Sequence, residues 1–259
     1  MLTDLNPLRA ALSRALVALD FDGTLAPIAL HPGDARPLPG VHQLLRDVRA
    51  TGANLAVVTG RSVASLLRVS SFGTVPGIVI YGTHGAERWQ AGELRTPAPP
   101  PGLHELRLSL PKLCGAHDPD IWVEDKGLSL VIHTRLTAEP DRWLEMLHAP
   151  VGKLAATAGL AMRPGKEVLE ICIPGIDKGT AIRELLCDDT VAAFYAGDDL
   201  GDLPAIAEVT AWAERSGRPS LTVGVSPGGT GPVAERADVT VPDPQSLVSL
   251  LRQIIEDAA

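Results

Sequence analysis

Short apolar runs alternate with amphipathic stretches along the first hundred residues. Residues 16–19, 54–58 and 77–81 are apolar runs of strand length, and residues 41–50 have the apolar spacing of a helix. This helical stretch stops at Thr51-Gly52, a sequence typical of a helix C-terminus. Strands that alternate with helices predict a parallel sheet covered by helices.

A proline-rich segment, residues 96–102, interrupts this alternation, and its composition predicts a stiff, extended linker. The pattern then predicts a helix followed by two strands, twice over, at residues 103–114, 121–124, 128–134, 140–158, 160–163 and 167–173. Such a doubled unit predicts a compact α+β domain with an antiparallel sheet. We therefore predict that residues 102–174 are inserted into a core formed by residues 1–101 and 175–259.

The parallel-sheet pattern resumes where Asp177-Lys178-Gly179 predicts a helix start. Residues 191–196 form a further buried strand in this prediction, and the tail is predicted as two strands and an amphipathic helix, at residues 221–225, 237–241 and 244–257. The fold class expected is α/β, with a Rossmann-like parallel-sheet core and an inserted α+β domain.

Composition narrows the possible partners. The 259 residues are 45% hydrophobic and 3% aromatic, and the net charge of −8 gives no basic footprint for nucleic acid. Three scattered cysteines offer neither a disulfide framework nor a zinc spacing, so we expect buried free thiols in a reducing compartment. Residues 1–16 lack a signal-peptide core, and no apolar run is long enough to span a membrane. We expect a soluble cytoplasmic monomer without nucleic-acid or membrane partners.

Acidic residues directly follow two of the predicted strands. Asp20 and Asp22 end the first strand, where Gly23 permits a turn, and the sequence 197–202, Gly-Asp-Asp-Leu-Gly-Asp, ends the strand 191–196. Reactive groups collect at the carboxyl ends of parallel strands. Carboxylates suit magnesium, and one beside a metal can attack a phosphoryl group to form an aspartyl-phosphate. An Asp-Gly turn would explain one such cluster, but two clusters far apart in sequence favour an active site.

Two further segments fit phosphate chemistry. Thr59-Gly60-Arg61-Ser62 follows the second strand and opens a helix, so the Thr59 hydroxyl and nearby backbone N–H groups can hold phosphate oxygens. The ordinary alternative is a capped helix start. Lys178 is a cation at another helix start, although a single lysine is weak evidence because surface lysines are abundant.

The order of these motifs resembles the haloacid dehalogenase superfamily of phosphotransferases. Asp-Phe-Asp-Gly-Thr-Leu at residues 20–25 resembles its first motif, and Thr59-Gly60-Arg61 resembles its second. Lys178 and the Gly-Asp-Asp sequence at residues 197–199 complete the order. The usual last motif is Gly-Asp-Asp-x-Thr-Asp-Glu, so this chain carries Gly201 for the threonine and Leu203 for the glutamate while keeping the carboxylates in register.

The resemblance implies a role for each motif. Asp20 would be the nucleophile and Asp22 the general acid, with Thr59 holding a phosphate oxygen and Lys178 neutralising the transferring group. The implied magnesium ligands are Asp20, the main-chain carbonyl of Asp22, and Asp198, with Asp199 and Asp202 as ligands or support.

Three segments resemble one family of this superfamily, the trehalose-phosphate phosphatases. They are Gly-Thr-His-Gly-Ala-Glu at residues 82–87, Trp-Val-Glu-Asp-Lys-Gly at 122–127, and Arg-Pro-Gly-Lys-Glu-Val-Leu-Glu at 163–170. Glutamates and a lysine can bind the hydroxyls of a disaccharide. The substrate-binding residues expected are Gly60, Arg61, His84, Glu124, Lys126 and Glu170.

The expected function is magnesium-dependent hydrolysis of trehalose 6-phosphate through an aspartyl-phosphate, with the inserted domain acting as a cap that closes over the substrate. Without the resemblance, Glu124 and Lys126 would be interpreted as a solvated hairpin turn with an exposed ion pair. The alternatives are a phosphatase of sucrose-phosphate or glycosyl-phosphoglycerate, a phosphosugar mutase, and a non-catalytic sugar-phosphate sensor. The sensor requires a broken motif, whereas all four motifs are intact.

Overall fold

The computed structural model describes residues 5–165 and 167–256. Its helices are α1 Asn6–Ala10, α2 Val41–Ala50, α3 Val63–Ser70, α4 Pro101–His117, α5 Pro140–Thr157, α6 Lys178–Leu185, α7 Leu203–Ser216 and α8 Pro244–Glu256. Its strands are β1 Ala15–Leu19, β2 Asn54–Val58, β3 Val79–Gly82, β4 Glu87–Gln90, β5 Glu93–Arg95, β6 Trp122–Asp125, β7 Leu130–His133, β8 Ala161–Gly165, β9 Val168–Cys172, β10 Ala192–Gly197, β11 Ser220–Val225 and β12 Val239–Val241.

The chain divides into two compact units. The first, here called the core unit, combines Met1–Arg95 with Asp177–Ala259, and the second, the cap unit, is Thr96–Ile176. The predicted borders lay at residues 101/102 and 174/175, so the linker that was predicted at residues 96–102 belongs to the cap unit.

The core unit is built on an eight-stranded sheet in the order β12-β11-β10-β1-β2-β3-β4-β5. The six strands from β12 to β3 pair in parallel, and β1 lies between β10 and β2. All five residues of β1 are buried, which explains its continuous apolar run, because a central parallel strand is covered on both faces. The predicted α/β class with a parallel-sheet core is confirmed.

Alternate residues of β1 pack into two different apolar clusters. Val17 and Leu19 join the cluster that contains the buried residues of α2, α3 and α8. Leu16 and Ala18 join a second cluster with the buried residues of α6 and α7. The sheet is therefore the middle layer of three, and its helices cover both faces.

Four parts of this architecture differ from the sequence prediction. The short helix α1, the antiparallel hairpin β4–β5 and helix α7 were not predicted, and α4 begins at Pro101, inside the predicted linker. Proline suits the first turn of a helix because its φ is preset and its missing N–H would have no partner there. The next residue is Gly102, and only glycine fits there, because a Cβ at this position would lie 2.3 Å from the Ala158 carbonyl oxygen.

The cap unit contains a four-stranded antiparallel sheet in the order β6-β7-β9-β8. Leu130, Ile132, Leu169 and Ile171 point to one face and pack with the buried residues of α4 and α5. Glu124, Val131 and Glu170 are cross-strand partners, so they share the opposite face of the sheet.

Two of the three cysteines have the state that the sequence predicts. Cys114 and Cys172 are buried free thiols as expected, but Cys187 is exposed. Within the described part of the chain, no helix combines the length and apolar character needed to cross a membrane. Predictions that involve residues 1–4, Lys166 and Asp257 lie outside the described residues.

Candidate active site

Three neighbouring strands bring the first, second and last motifs to one edge of the sheet. Asp20, Thr59 and Asp198 follow β1, β2 and β10, which are adjacent in the sheet. The Asp20 backbone N–H continues the parallel ladder by donating to the Ala196 carbonyl at 2.9 Å. Because β10, β1 and β2 are neighbours in the sheet, the residues that follow them lie at the same carboxyl edge, as the sequence predicts.

Three carboxylates form the centre of the site. Each of Asp20, Asp198 and Asp202 offers an oxygen, and these oxygens lie within 4.8 Å of one another. Burial raises the pKa of Asp20 well above its usual range, although Lys178 opposes the shift. Burial, together with the negative charges of Asp202 and Asp199, raises the pKa of Asp198 to about 8.

Lys178 balances part of this charge. Its Nζ lies 2.9 Å from Asp20 Oδ1 and 2.6 Å from Asp202 Oδ1, and its side chain is only 2% exposed. Burial alone would lower the pKa of Lys178, but these two carboxylates outweigh it and raise the pKa well above its usual value. The lysine is fixed at the first position of α6, where Asp177 and Thr180 form a capping box.

The donor set fits a divalent cation. The site combines three carboxyl groups with one ammonium group, which contacts Asp20 and Asp202. With all three carboxyl groups ionised, the cluster would carry an excess of two negative charges, three minus one, for a cation to neutralise. Hard carboxylate oxygens are the ligands that magnesium and calcium prefer. Asp20 and Asp198 would hold such a cation.

Asp202 is better suited to support than to metal binding. Its Oδ1 accepts from Lys178 Nζ at 2.6 Å and from the Tyr195 hydroxyl at 2.5 Å. Its Oδ2 accepts from the backbone N–H groups of Asp198 and Asp199 at 2.9 and 3.1 Å. These four donors occupy the lone pairs of the carboxylate. Burial alone would raise the pKa of Asp202, but the charge of Lys178 and the hydrogen bonds from Lys178, Tyr195 and the Asp199 backbone lower it.

The remaining two predicted metal residues direct their side chains to other partners. Asp22 was predicted to bind magnesium through its main-chain carbonyl. Its side-chain carboxylate accepts from Arg61 Nε at 2.6 Å and from Arg61 Nη2 at 2.7 Å. Asp199 Oδ1 accepts from the Gly201 N–H at 2.8 Å. Arg61, predicted to bind substrate, thus holds the predicted general acid in a bidentate ion pair.

The start of α3 differs from the phosphate cradle expected from the sequence. The Arg61 N–H donates to Thr59 Oγ1 at 3.2 Å, and the Val63 N–H donates to Glu87 Oε2 at 2.7 Å. Ser62 caps the helix by accepting from the Ser65 N–H. The amides of Arg61 and Val63 are therefore used inside the protein, so Glu87 is a structural residue of the site that the sequence did not reveal.

His84 lies against the glycines of two motifs. Its backbone φ is +56°, and its N–H donates to the Thr59 carbonyl at 2.9 Å. A Cβ at Gly60 would lie 2.8 Å from ring atoms of His84, and one at Gly201 would lie 3.5 Å from its Cε1. At Gly201, a departure from the usual motif, the tighter neighbour of an added Cβ would be Asp199 Oδ1 at 3.0 Å.

Gly23 leaves room for Asp198. Its φ is +71°, and a Cβ there would lie 2.0 Å from Asp198 Oδ2. We expect Gly23→Ala to lower kcat/KM of the expected phosphatase reaction about 100-fold, because displacement of the Asp198 carboxylate disturbs the geometry of the site. Gly228→Ala is the matched control, since Gly228 has φ +79° and no described atom within 4 Å of its Cβ position. Steady-state kinetics should show no change for the control. An unchanged kcat/KM for Gly23→Ala would contradict the assignment of Asp198 to the active site.

The predicted sugar-binding residues lie in the cap unit. Glu124 Oε2 lies 3.1 Å from His133 Nε2, and the His133 ring stacks on Trp122 with centroids 3.8 Å apart. Glu170 Oε1 accepts from the Ser129 hydroxyl at 2.8 Å. Lys126 follows β6, and its N–H donates to the Ser129 carbonyl at 3.0 Å. Their binding of a sugar stays a prediction.

Comparison with known proteins shows which family the chain resembles. A model of the trehalose-phosphatase family matches residues 18–243. A trehalose-phosphate phosphatase of Mycobacterium leprae is 32% identical over 62% of this chain, although the match spans only 37% of that longer protein. A probable trehalose-phosphate phosphatase of Sinorhizobium fredii is 31% identical over 76% of this chain and 75% of its own length.

Solved structures agree on the fold. The C-terminal domain of trehalose-6-phosphate phosphatase from Candida albicans superposes with a TM-score of 0.83 at 19% identity, covering 97% of this chain and 95% of that one. The family match and the fold together show that the chain belongs to the trehalose-phosphatase family.

Proposed function

We propose that this protein is a phosphoric monoester hydrolase that converts trehalose 6-phosphate to trehalose and phosphate, using magnesium and an aspartyl-phosphate at Asp20. The observation that carries the proposal is the position of Asp20, whose Oδ1 lies 2.9 Å from the buried Lys178 ammonium and beside Asp198. A buried carboxylate next to a cation at a strand end is well placed to receive a phosphoryl group.

The proposed reaction has two steps. A carboxylate oxygen of Asp20 attacks phosphorus, the bond from phosphorus to the sugar oxygen breaks, and that oxygen takes a proton from Asp22. Water then attacks phosphorus, its proton passes to Asp22, and phosphate leaves while the Asp20 carboxylate is regenerated. Lys178 neutralises the transferring group, and the Thr59 hydroxyl holds one phosphate oxygen.

Arg61 must release Asp22 during this cycle. The Arg61 guanidinium holds both side-chain oxygens of Asp22, so neither oxygen is available to the departing sugar oxygen while this ion pair persists. We therefore propose that Asp22 leaves Arg61 when substrate arrives and that the phosphate competes for the same guanidinium. Magnesium, when bound, supplies further positive charge for the phosphate.

The function is tested by phosphate release from trehalose 6-phosphate, measured beside glucose 6-phosphate and sucrose-phosphate. We expect the highest kcat/KM with trehalose 6-phosphate. A higher value with sucrose-phosphate would assign the protein to another sugar phosphate, and no release from any of these substrates would reject the proposed activity.

Removal of magnesium should abolish turnover. After exhaustive chelation we expect no phosphate release, full recovery with magnesium and poor recovery with calcium, whose looser coordination would misplace the nucleophile. Circular dichroism before and after chelation controls for unfolding. Full turnover of the chelated protein would reject the metal requirement.

The cap residues should determine which substrate is hydrolysed. Glu124→Ala or Lys126→Ala is expected to lower kcat/KM for trehalose 6-phosphate by roughly 10–1000-fold, if each lost contact costs about 1.5–4 kcal/mol. The same variants should hydrolyse p-nitrophenyl phosphate normally, because this small substrate has no sugar to bind. Glu145→Ala and Lys112→Ala, at exposed helix positions of the cap unit, are the matched controls. Equal losses on both substrates would assign the two residues to the fold or to the chemistry instead.

A further inference from the structure

Tyr195 is a polar side chain fully buried beneath the acidic cluster. It lies on β10, its exposed fraction is 0%, and its hydroxyl donates to Asp202 Oδ1 at 2.5 Å. Its strand neighbour Phe194 is also buried, but packs in the cluster on the other face of the sheet. A phenol in such surroundings is costly unless its hydroxyl has a partner, and here that partner is Asp202.

Tyr195 and Lys178 share one acceptor atom. Lys178 Nζ lies 2.6 Å from the same Asp202 Oδ1 and 2.9 Å from Asp20 Oδ1. An unbroken series of contacts therefore runs from the Tyr195 hydroxyl through Asp202 and Lys178 to Asp20. Displacement of Asp202 Oδ1 would displace the ammonium group that faces the proposed nucleophile.

The other oxygen of Asp202 is fixed separately. The N–H groups of Asp198 and Asp199 hold Oδ2, so rotation of the carboxylate is restrained from one side by the backbone. On the Oδ1 side, the Lys178 ammonium is shared between two carboxylates, whereas the Tyr195 hydroxyl donates to Asp202 from a rigid ring on a buried strand. The tyrosine is thus the stiffer restraint on Oδ1.

We infer that Tyr195 is a positioning residue for the phosphatase reaction, which acts by fixing Asp202 and thereby the ammonium of Lys178 against Asp20. This inference rests on the proposed function. The Tyr195 hydroxyl does not touch the substrate in this scheme. Its loss should therefore slow the chemical step and leave substrate binding nearly unchanged.

Tyr195→Phe tests the inference because it removes the hydroxyl and keeps the ring. We expect kcat for trehalose 6-phosphate to fall roughly 10-fold, with KM within about 3-fold of the wild-type value, as for loss of one hydrogen bond to a charged group. Tyr81→Phe is the matched control. Tyr81 is 2% exposed, belongs to the same apolar cluster and donates to Glu184 Oε2 at 2.9 Å, away from the acidic cluster.

The control separates positioning from stability. Both variants lose a buried hydroxyl that binds a carboxylate, so both should lower the melting temperature, but only Tyr195→Phe should lower kcat. An unchanged kcat in Tyr195→Phe, or equal kcat losses in the two variants, would overturn the inference.

A binding measurement provides a second readout that needs no turnover. Beryllium fluoride with magnesium mimics a phosphorylated aspartate, and its affinity can be measured by calorimetry. Tyr195→Phe should weaken this binding roughly 10-fold in the wild-type background and hardly at all in an Asp202→Ala background, because the effect passes through Asp202. Equal weakening in both backgrounds would overturn the inference. Wild-type protein that neither releases phosphate nor binds beryllium fluoride would instead refute the proposed function.

Discussion

Replacement of Asp20 by asparagine is expected to lower kcat for trehalose 6-phosphate by about 10⁴-fold or more, as for loss of a covalent nucleophile. The amide is nearly the same size as the carboxylate and keeps an oxygen that can accept from Lys178 Nζ. In the unmodified protein this Nζ lies 2.9 Å from Asp20 Oδ1. It cannot form the acyl-phosphate. The fold should survive because the backbone N–H of Asp20 still pairs with Ala196.

Asp238→Asn is the matched control for this change. Asp238 Oδ2 accepts from the Thr222 N–H and hydroxyl, both at 2.8 Å, and takes no part in the site. Its replacement should affect stability alone. Phosphate-release assays on both variants, with melting curves, check the prediction, and turnover of Asp20→Asn above about 1% of the wild-type rate would exclude Asp20 as the nucleophile.

Lys178→Met should abolish turnover and destabilise the fold together. The substitution leaves Asp20 and Asp202, which are 4% and 0% exposed, without their shared cation. Removal of one partner from a buried ion pair typically costs about 3–5 kcal/mol, because the remaining charge is buried without compensation. Denaturant unfolding measures this loss, and phosphate release measures the loss of turnover.

A cation on the same helix provides the control. Arg183 pairs with Glu208, but its side chain is 65% exposed, so Arg183→Met should change stability little. The double variant Lys178→Met/Asp202→Asn should regain part of the stability and none of the turnover. If Lys178→Met were as stable as Arg183→Met, the buried network would not have the energetic role described here.

Much of the core unit was predictable because its strands are buried on both faces. Their continuous apolar runs give a strong signal, and a motif directly after such a run must lie at the carboxyl edge of the sheet. The hairpin β4–β5 gives no such signal. Its residues, Glu-Arg-Trp-Gln and Glu-Leu-Arg, are mostly polar, and all but one of them are part-exposed or exposed.

Helix α7 was predictable in principle but was not predicted. Ile206, Val209 and Trp212 have helical spacing and are buried in the structure, and Pro204 suits a first turn.

Hydrogen-bond partners distant in sequence could not be predicted. Glu87 accepts from the Val63 N–H and Asp202 accepts from Lys178 Nζ, each across 24 residues of sequence, because the fold brings these pairs together. The motif pattern likewise left Asp199 and Asp202 equivalent. Their difference lies in the four donors around Asp202, which depend on the turn after β10 and on the position of α6.

The central claim is that Asp20 carries the phosphoryl group during hydrolysis of trehalose 6-phosphate. The most direct measurement is rapid quenching of the wild-type protein during turnover with magnesium, followed by borohydride reduction and peptide mass spectrometry. Reduction converts an aspartyl-phosphate to homoserine, and we expect homoserine at position 20 in the wild type and none in Asp20→Asn. Homoserine at another carboxylate, such as Asp22 or Asp198, would contradict the account.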